Sequence, residues 1–409
     1  LALLILLLQE LQVMTKNTSL TTGVLLCLSV AIGTYGCSSS TNTVESTKVD
    51  KTTAAGNTSE QSNDNNQYKY AKNVVGANQL LINKDANAIT HKVYQYLLDN
   101  FGSKVLAGQQ DLTWQDNIDM YARVLADTGK APAIMGYDFM NYDRYQYGSG
   151  LQQTEEAIAH WQRGGLVTFA WHWRDPSLKT QEFYTEKSDF VIPMKEQQLD
   201  TQSDDFKAIV RDIDIIAAEL KKLQQAGVPV LWRPMHEAAD NQWGGWFWWG
   251  ANRTDGEQPN VAFIKLWQFM FHYLTEDHGL NNLIWVWNGL QGSWYPGDEY
   301  VDVIGDDIYA TPHDYGSQVE RFQLVKSFSA KPKPVALTEN GVLPDPNKMA
   351  NEQAMWGYFV TWNDIDTAAG VTDKGNFWTG EYHSSNAHKK YVYNHELVIT
   401  LDELPKFTE

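Results

Sequence analysis

The feature that most limits what this chain can become is a rhythm. From residue 100 onward, short β-branched or apolar runs alternate with longer amphipathic ones. The runs Lys104–Gln109, Pro132–Tyr137, Leu166–Trp171, Pro229–Met235, Asn282–Trp287, Val303–Tyr309, Val335–Glu339 and Tyr358–Trp362 read as strands. Between them, the segment Asp205–Gln225 carries Ile209, Ile213, Ile216, Ala217 and Leu220 at helical spacing. Gly227 ends it and Pro229 opens the next strand. The segments Thr154–Arg163, Val261–Asp277 and Gly316–Phe328 read as further helices. Strands and helices alternating in this way predict an α/β chain folded as a single (β/α)8 TIM barrel. An open doubly wound sheet is the rival, but no Gly-rich phosphate loop follows any of these strands. No internal repeat or second linker appears, so one domain is expected over residues 73–409.

The segment ahead of that domain reads differently. Cys27 and Cys37 are the two cysteines, so the barrel has no disulfide, no Cys-ligated zinc and no thiol nucleophile. A short polar region with Lys16 leads into the apolar stretch Leu20–Ile32, too short to span a bilayer comfortably, and then into Gly33-Thr34-Tyr35-Gly36-Cys37. Residues 1–37 are therefore expected to be a signal peptide, and a small residue before Cys37 resembles a bacterial lipoprotein box with Cys37 as the lipidated residue. A plain secretory signal is the alternative. Ser38 after the Cys resembles lipoproteins sorted to the outer membrane, so the expected location is the cell envelope: the outward face of the outer membrane, or the periplasm. Met14 makes a better signal start than Leu1, and nothing is built on residues 1–13. Residues 38–72 are rich in Ser, Thr, Asn and Gln, cannot bury enough apolar surface to fold, and read as a disordered tether.

Charge narrows the partners. The chain holds 50 Asp and Glu against 32 Lys and Arg, a formal net charge of −18. An acidic excess of that size argues against nucleic acid, whose phosphates demand a basic face. Residues 1–37 contain one acid (Glu10) and one base (Lys16), so the acidity belongs to the remainder.

In a (β/α)8 barrel the chemistry sits where strands run out at their C-terminal ends. The strand ends here are unusually polar or aromatic: Tyr137-Asp138, Trp171-His172-Trp173, Arg233-Pro234-Met235-His236-Glu237, Trp287-Asn288, Asp306-Asp307-Ile308-Tyr309, Glu339-Asn340-Gly341 and Trp362-Asn363-Asp364. Glu237 and Glu339 end the fourth and seventh strands, where two carboxylates can flank a glycosidic bond as acid/base and nucleophile. Most strand-edge acids are merely solvated; two at matching positions in unusual surroundings are less readily dismissed. His236-Glu237-Ala238-Ala239-Asp240 also suggests the zinc motif H-E-x-x-H, but the fifth residue is Asp and the preceding run is strand-like. No cofactor or catalytic metal is called for, because two carboxylates suffice.

Trp232-Arg233-Pro234-Met235-His236-Glu237, Trp246-Phe247-Trp248-Trp249-Gly250 and Leu337-Thr338-Glu339 together resemble glycoside hydrolase family 26, mostly β-mannanases. Trp171-His172-Trp173, Asp307-Ile308-Tyr309 and Trp362-Asn363-Asp364 fall in the matching order, and the resemblance runs from about residue 75 to the end. It implies a retaining (β/α)8 barrel with Glu237 as acid/base and Glu339 as nucleophile. It further implies that Arg233 and His236 flank the acid/base and that Tyr309 hydrogen-bonds the nucleophile, with Asp307 nearby. His172 then binds sugar and Trp362 floors the subsite before the scissile bond. One of Trp243, Trp246 or Trp248 lines the leaving-group side. Ala238-Ala239-Asp240-Asn241-Gln242 departs from the family's shorter turn after the acid/base.

The 16 tryptophans divide by position. Trp171, Trp173 and Trp362 at strand ends are expected to offer flat faces to sugar. Trp161, Trp267 and Trp356 are read as helix residues serving the scaffold. The expected substrate is β-1,4-mannan or manno-oligosaccharide, with mixed-linkage glucan or xylan as alternatives, and the chain is expected to act as a monomer. The loop Asn141–Gly148, with Asp143 or Arg144 reaching a terminal sugar, would close one end of the cleft and favour exo-acting release of mannobiose over endo attack. A non-catalytic carbohydrate-binding lipoprotein is the rival outside the enzyme class.

Overall fold

A computed structural model of the chain describes residues 81–112, 119–142, 151–239, 245–365 and 371–408. Eight strands form the barrel: β1 Val105–Gln110, β2 Ile134–Asp138, β3 Leu166–Trp171, β4 Val230–Pro234, β5 Leu283–Trp287, β6 Val303–Ile308, β7 Val335–Asn340 and β8 Tyr358–Thr361. Each pairs in parallel with the next, and β8 pairs with β1 (Leu106 opposite Tyr358, Gln109 opposite Thr361), which closes the barrel. Val, Ile, Leu and aromatic residues dominate these runs because parallel barrel strands are covered on both faces. Every residue of these eight strands is buried except Asp307 and Ile308 at the end of β6, and that end marks the open mouth.

The helices are α1 Ala88–Asn100, α2 Met120–Thr128, α3 Gln153–Gln162, α4 Asp204–Gln225, α5 Pro259–His272, α6 Val319–Lys326, α7 Pro346–Asn351 and α8 Asn386–Tyr393. α4 shows why the sequence pattern was readable. The Phe206 N–H donates to Ser203 at its N-cap, Asp204 and Asp205 sit at its positive end, and Ile209, Ile213, Ile216 and Leu220 are buried. Gly227, at φ +72°, releases the chain toward β4. Two expectations need correction. The segment read as one helix to Asp277 switches at Tyr273 into a π turn, and Trp356 lies between α7 and β8 rather than on a helix. β5 is followed only by a single 3₁₀ turn at Gly292–Trp294. Among the described residues no helix is long and apolar enough to cross a membrane.

One irregularity bears on the site. Along β6 and β7, Asp306 faces Leu337 but Asp307 faces Glu339, so Thr338 is an extra residue in β7. The β7–β8 register slips at the same place. A bulge of this kind turns side chains that a regular pleat would hide.

Candidate active site

Arg233, near the end of β4, is 3% exposed, and a buried guanidinium is tolerated only when paired. Its two nitrogens fork, Nη1 donating to Asp307 Oδ2 at 3.0 Å and Nη2 to Glu339 Oε1 at 2.5 Å. The Tyr309 hydroxyl donates to the other oxygen of Glu339 at 2.6 Å. Both oxygens of Glu339 are therefore held by donors. Burial and the Asp307 charge push the Glu339 carboxyl up to about 7, against the pull of Arg233, His172 and the Tyr309 hydroxyl. Burial first, and then the neighbouring carboxylates, keeps the Tyr309 proton in place.

Glu237 follows β4 on a backbone with φ +49°, two residues after Met235 at φ +48°. These are left-handed conformations that side chains other than glycine seldom adopt. The Glu237 N–H donates to the Asn288 carbonyl at 2.7 Å, which fixes the turn against the end of β5. Its carboxyl hydrogen-bonds with Asp307, and burial, then Asp307, then Glu339, raise its pKa well above the glutamate range. Of the two glutamates, Glu339 gives up its proton first. One carboxyl oxygen from each of Glu237, Asp307 and Glu339 lies within 4.8 Å of the other two. Three carboxylates at that spacing could gather a cation, but the Arg233 guanidinium already bridges two of them.

His172 and His236 form the adjoining wall. Asp138, at the end of β2, accepts from the His172 ring through Nδ1, and also from the main-chain N–H groups of His172 (3.0 Å) and Met140 (2.9 Å). That fixes the His172 tautomer, and its Nε2 meets His236 Nε2 at 3.2 Å. Burial, Arg233 and His172 push His236 well below the usual histidine range, so it stays neutral. The Trp249 indole N–H holds the His236 carbonyl at 2.8 Å, and the Phe247 ring lies 4.9 Å from His236.

The structure thus brings together Glu237, Glu339, Arg233, His236, His172, Asp307 and Tyr309. Trp362 packs beside them, its ring 6.0 Å from that of His172. Trp171, Trp173 and Trp248, expected to meet sugar, are packed indoles in this structure. Each is at most 2% exposed, Trp171 and Trp173 stack on one another at 4.1 Å, and Trp173 donates to Asp212 at 3.0 Å. Trp248 donates to the Trp173 carbonyl at 2.7 Å. Their rings pack on one another and against Trp232 and Phe190. Trp246 is the partly exposed tryptophan of that segment. Trp243, Asp143 and Cys37 lie outside the described residues. In the sequence, Asp138 and Asn288 stand only as polar strand ends; their partners are distant in sequence, which spacing does not show.

A closed barrel with a donor-clamped carboxylate on β7, and a proton-retaining carboxylic acid after β4, defines a glycosidase-type (β/α)8 barrel. The chain belongs to glycosyl hydrolase family 26, whose model matches residues 82–403. A mannan endo-1,4-beta-mannosidase of Thermothelomyces thermophilus is 37% identical over 337 residues, covering 80% of this chain and 64% of the relative. Mannan endo-1,4-beta-mannosidase B of Piromyces sp is 34% identical, covering 81% of this chain and 54% of the relative. The chain therefore spans less than two thirds of the length of these relatives. Among solved structures, a Podospora anserina β-(1,4)-mannanase aligns at TM-score 0.69 and 34% identity, covering 80% of this chain and 69% of that one. A β-mannanase from a symbiotic protist of the termite Reticulitermes speratus, complexed with gluco-manno-oligosaccharide, aligns at 0.65 and 33%, covering 80% and 97%.

Proposed function

We propose that this chain hydrolyses β-1,4-mannosidic linkages in mannan and manno-oligosaccharides by double displacement. The observation that carries the reading is the close approach of Glu237 and Glu339, whose nearest carboxyl oxygens lie within 4.8 Å. Retaining glycosidases space their carboxyl groups by about 5–5.5 Å, whereas inverting ones leave about 6.5–9.5 Å for a water. Glu339, ionised first, attacks the anomeric carbon as Glu237 passes its proton to the departing glycosidic oxygen. Glu237 then takes a proton from water, and that water releases the sugar from Glu339. Arg233 and Tyr309 hold the nucleophile's charge, and His172 and His236 are placed to meet sugar hydroxyls. Mannan as the substrate is supported by the names of the relatives.

The test is digestion of mannohexaose by the wild type and by Glu339→Ala. Turnover should fall by orders of magnitude in the variant while sugar binding persists. A wild type that binds mannohexaose without cutting it would favour the carbohydrate-binding alternative. Cutting mode is read from the same chromatogram. Early mannobiose alone supports the exo reading drawn from the Asn141–Gly148 loop, and mixed oligomers support the endo action named for the relatives. The proposal extends to residues 1–72 as a signal, a lipidated Cys37 and a tether in the cell envelope. Loss of palmitate labelling in Cys37→Ala tests it.

A further inference from the structure

The side chain of the bulge residue Thr338 hydrogen-bonds with Asn288, Asp306 and Asp307 rather than with either glutamate. In a regular strand consecutive side chains face opposite ways, so Thr338 and Glu339 could not both reach the site. The extra residue in β7 removes that restriction. Space is cleared as well. A Cβ at Gly305 on the neighbouring β6 would lie 2.6 Å from both Thr338 Cγ2 and Oγ1.

The Thr338 hydroxyl sits in a directed chain. Asn288 Nδ2 donates to Thr338 Oγ1 at 2.9 Å, and that hydroxyl donates to Asp307 Oδ1 at 2.7 Å. A hydroxyl has one proton, and the shorter contact to a charged oxygen wins it over the Asp306 carbonyl at 3.2 Å. Asp307 Oδ2 is taken by Arg233, and Asp307 also hydrogen-bonds with the Glu237 carboxyl. Asn288 has a second link, since its carbonyl accepts the Glu237 N–H. The charged and titratable groups facing Asp307 are Arg233 and Glu237 from the β4 end, Glu339 from β7, Tyr309 just after β6 and Tyr358 from β8. Its neighbour Asp306 turns outward to Arg321 on α6.

We propose that Thr338, oriented by Asn288, is a positioning residue that holds the Asp307 carboxyl in place beside Glu237, so that Glu237 can present its proton to the leaving group. The inference rests on Glu237 being the general acid. In the step it serves, the Glu237 proton passes to the glycosidic oxygen, the bond from that oxygen to the anomeric carbon breaks, and Glu339 bonds that carbon; Thr338 keeps its own proton. Without the hydroxyl, Asp307 loses one of its donors and no longer fixes the Glu237 carboxyl toward the leaving group.

The discriminating experiment compares two substrates by kcat/KM, which reports the first, glycosidic-bond-breaking half of the reaction. Mannotetraose needs its leaving group protonated; 2,4-dinitrophenyl β-mannobioside does not. Thr338→Val preserves volume and branching while deleting the hydroxyl. It should lose about tenfold or more on mannotetraose, the scale of a hydrogen bond to a charged group, and change little on the dinitrophenyl substrate. Thr338→Ser should restore mannotetraose turnover. Equal losses on both substrates, no loss on either, or a serine variant as weak as the valine would overturn the proposal. Should the valine variant not fold, Thr338→Ala carries the same comparison. Wild-type cleavage of both substrates is the control that separates failure of this inference from failure of the glycosidase reading.

Discussion

Tyr309→Phe removes one atom from the site and leaves the ring against Phe377, 5.2 Å away. What it deletes is the hydroxyl that donates to Glu339 Oε2 at 2.6 Å, one of the two donors on that carboxylate. A hydrogen bond to an ionised group is worth about 1.5–3 kcal/mol. One pKa unit corresponds to about 1.4 kcal/mol, so losing the donor should raise the Glu339 pKa by about 1–2 units. The sign follows from which form the bond favours. It stabilises the carboxylate, its loss favours the acid, and the nucleophile then needs a higher pH to ionise. The assay is kcat/KM on mannohexaose across pH. The wild-type acid limb should already lie above the ordinary glutamate value of about 4.3, because burial and Asp307 raise Glu339. In the variant that limb should move further up, with the largest loss of activity on the acid side. An acid limb that stays in place, or moves down, would refute the assignment of Tyr309 as the donor that sustains the nucleophile's charge.

Other outcomes are equally specific. Trp173→Phe should lower the melting temperature, through loss of the bond to Asp212, while leaving the mannohexaose KM within about twofold; a large KM rise would return this indole to the sugar-facing role. Asp138→Asn should cut kcat/KM by about tenfold or more by freeing the His172 tautomer, with a changed imidazole ¹⁵N spectrum; an unchanged spectrum would refute that cause. His160, fully buried, has its pKa lowered by burial to about 4 from an unfolded value of about 6.5. Between those values the unfolded chain binds more protons, so stability should fall as pH drops through that window, by up to about 3 kcal/mol from this group. Urea unfolding of His160→Phe should show a flatter pH dependence there, and an unchanged slope would contradict it.

The eight strands were legible because each begins as a short, mostly apolar run between turn signals; the observed ends fall within two residues of the expected ones. α4 was legible through its cap, its apolar stripe and Gly227. The short helices α2, α7 and α8 were not, since two turns give little periodicity to read. The carboxylates stand out in the sequence because barrel chemistry gathers at strand ends, whereas the packing of the rings at those same ends does not show in it. Trp171 and Trp173 flank His172 in sequence, yet in the fold they stack on one another. Thr338 was hidden for a different reason. A bulge is a property of the pairing between strands, and one strand's sequence does not display its partner's register.

The central claim is that Glu237 and Glu339 act together with retention of configuration. It is tested most directly by ¹H NMR of the anomeric signals during the first moments of manno-oligosaccharide cleavage, before mutarotation. Double displacement through Glu339 predicts that the β-anomer appears first and the α-anomer grows in later. First appearance of the α-anomer would mean a single displacement by water, and would contradict the roles assigned to both glutamates.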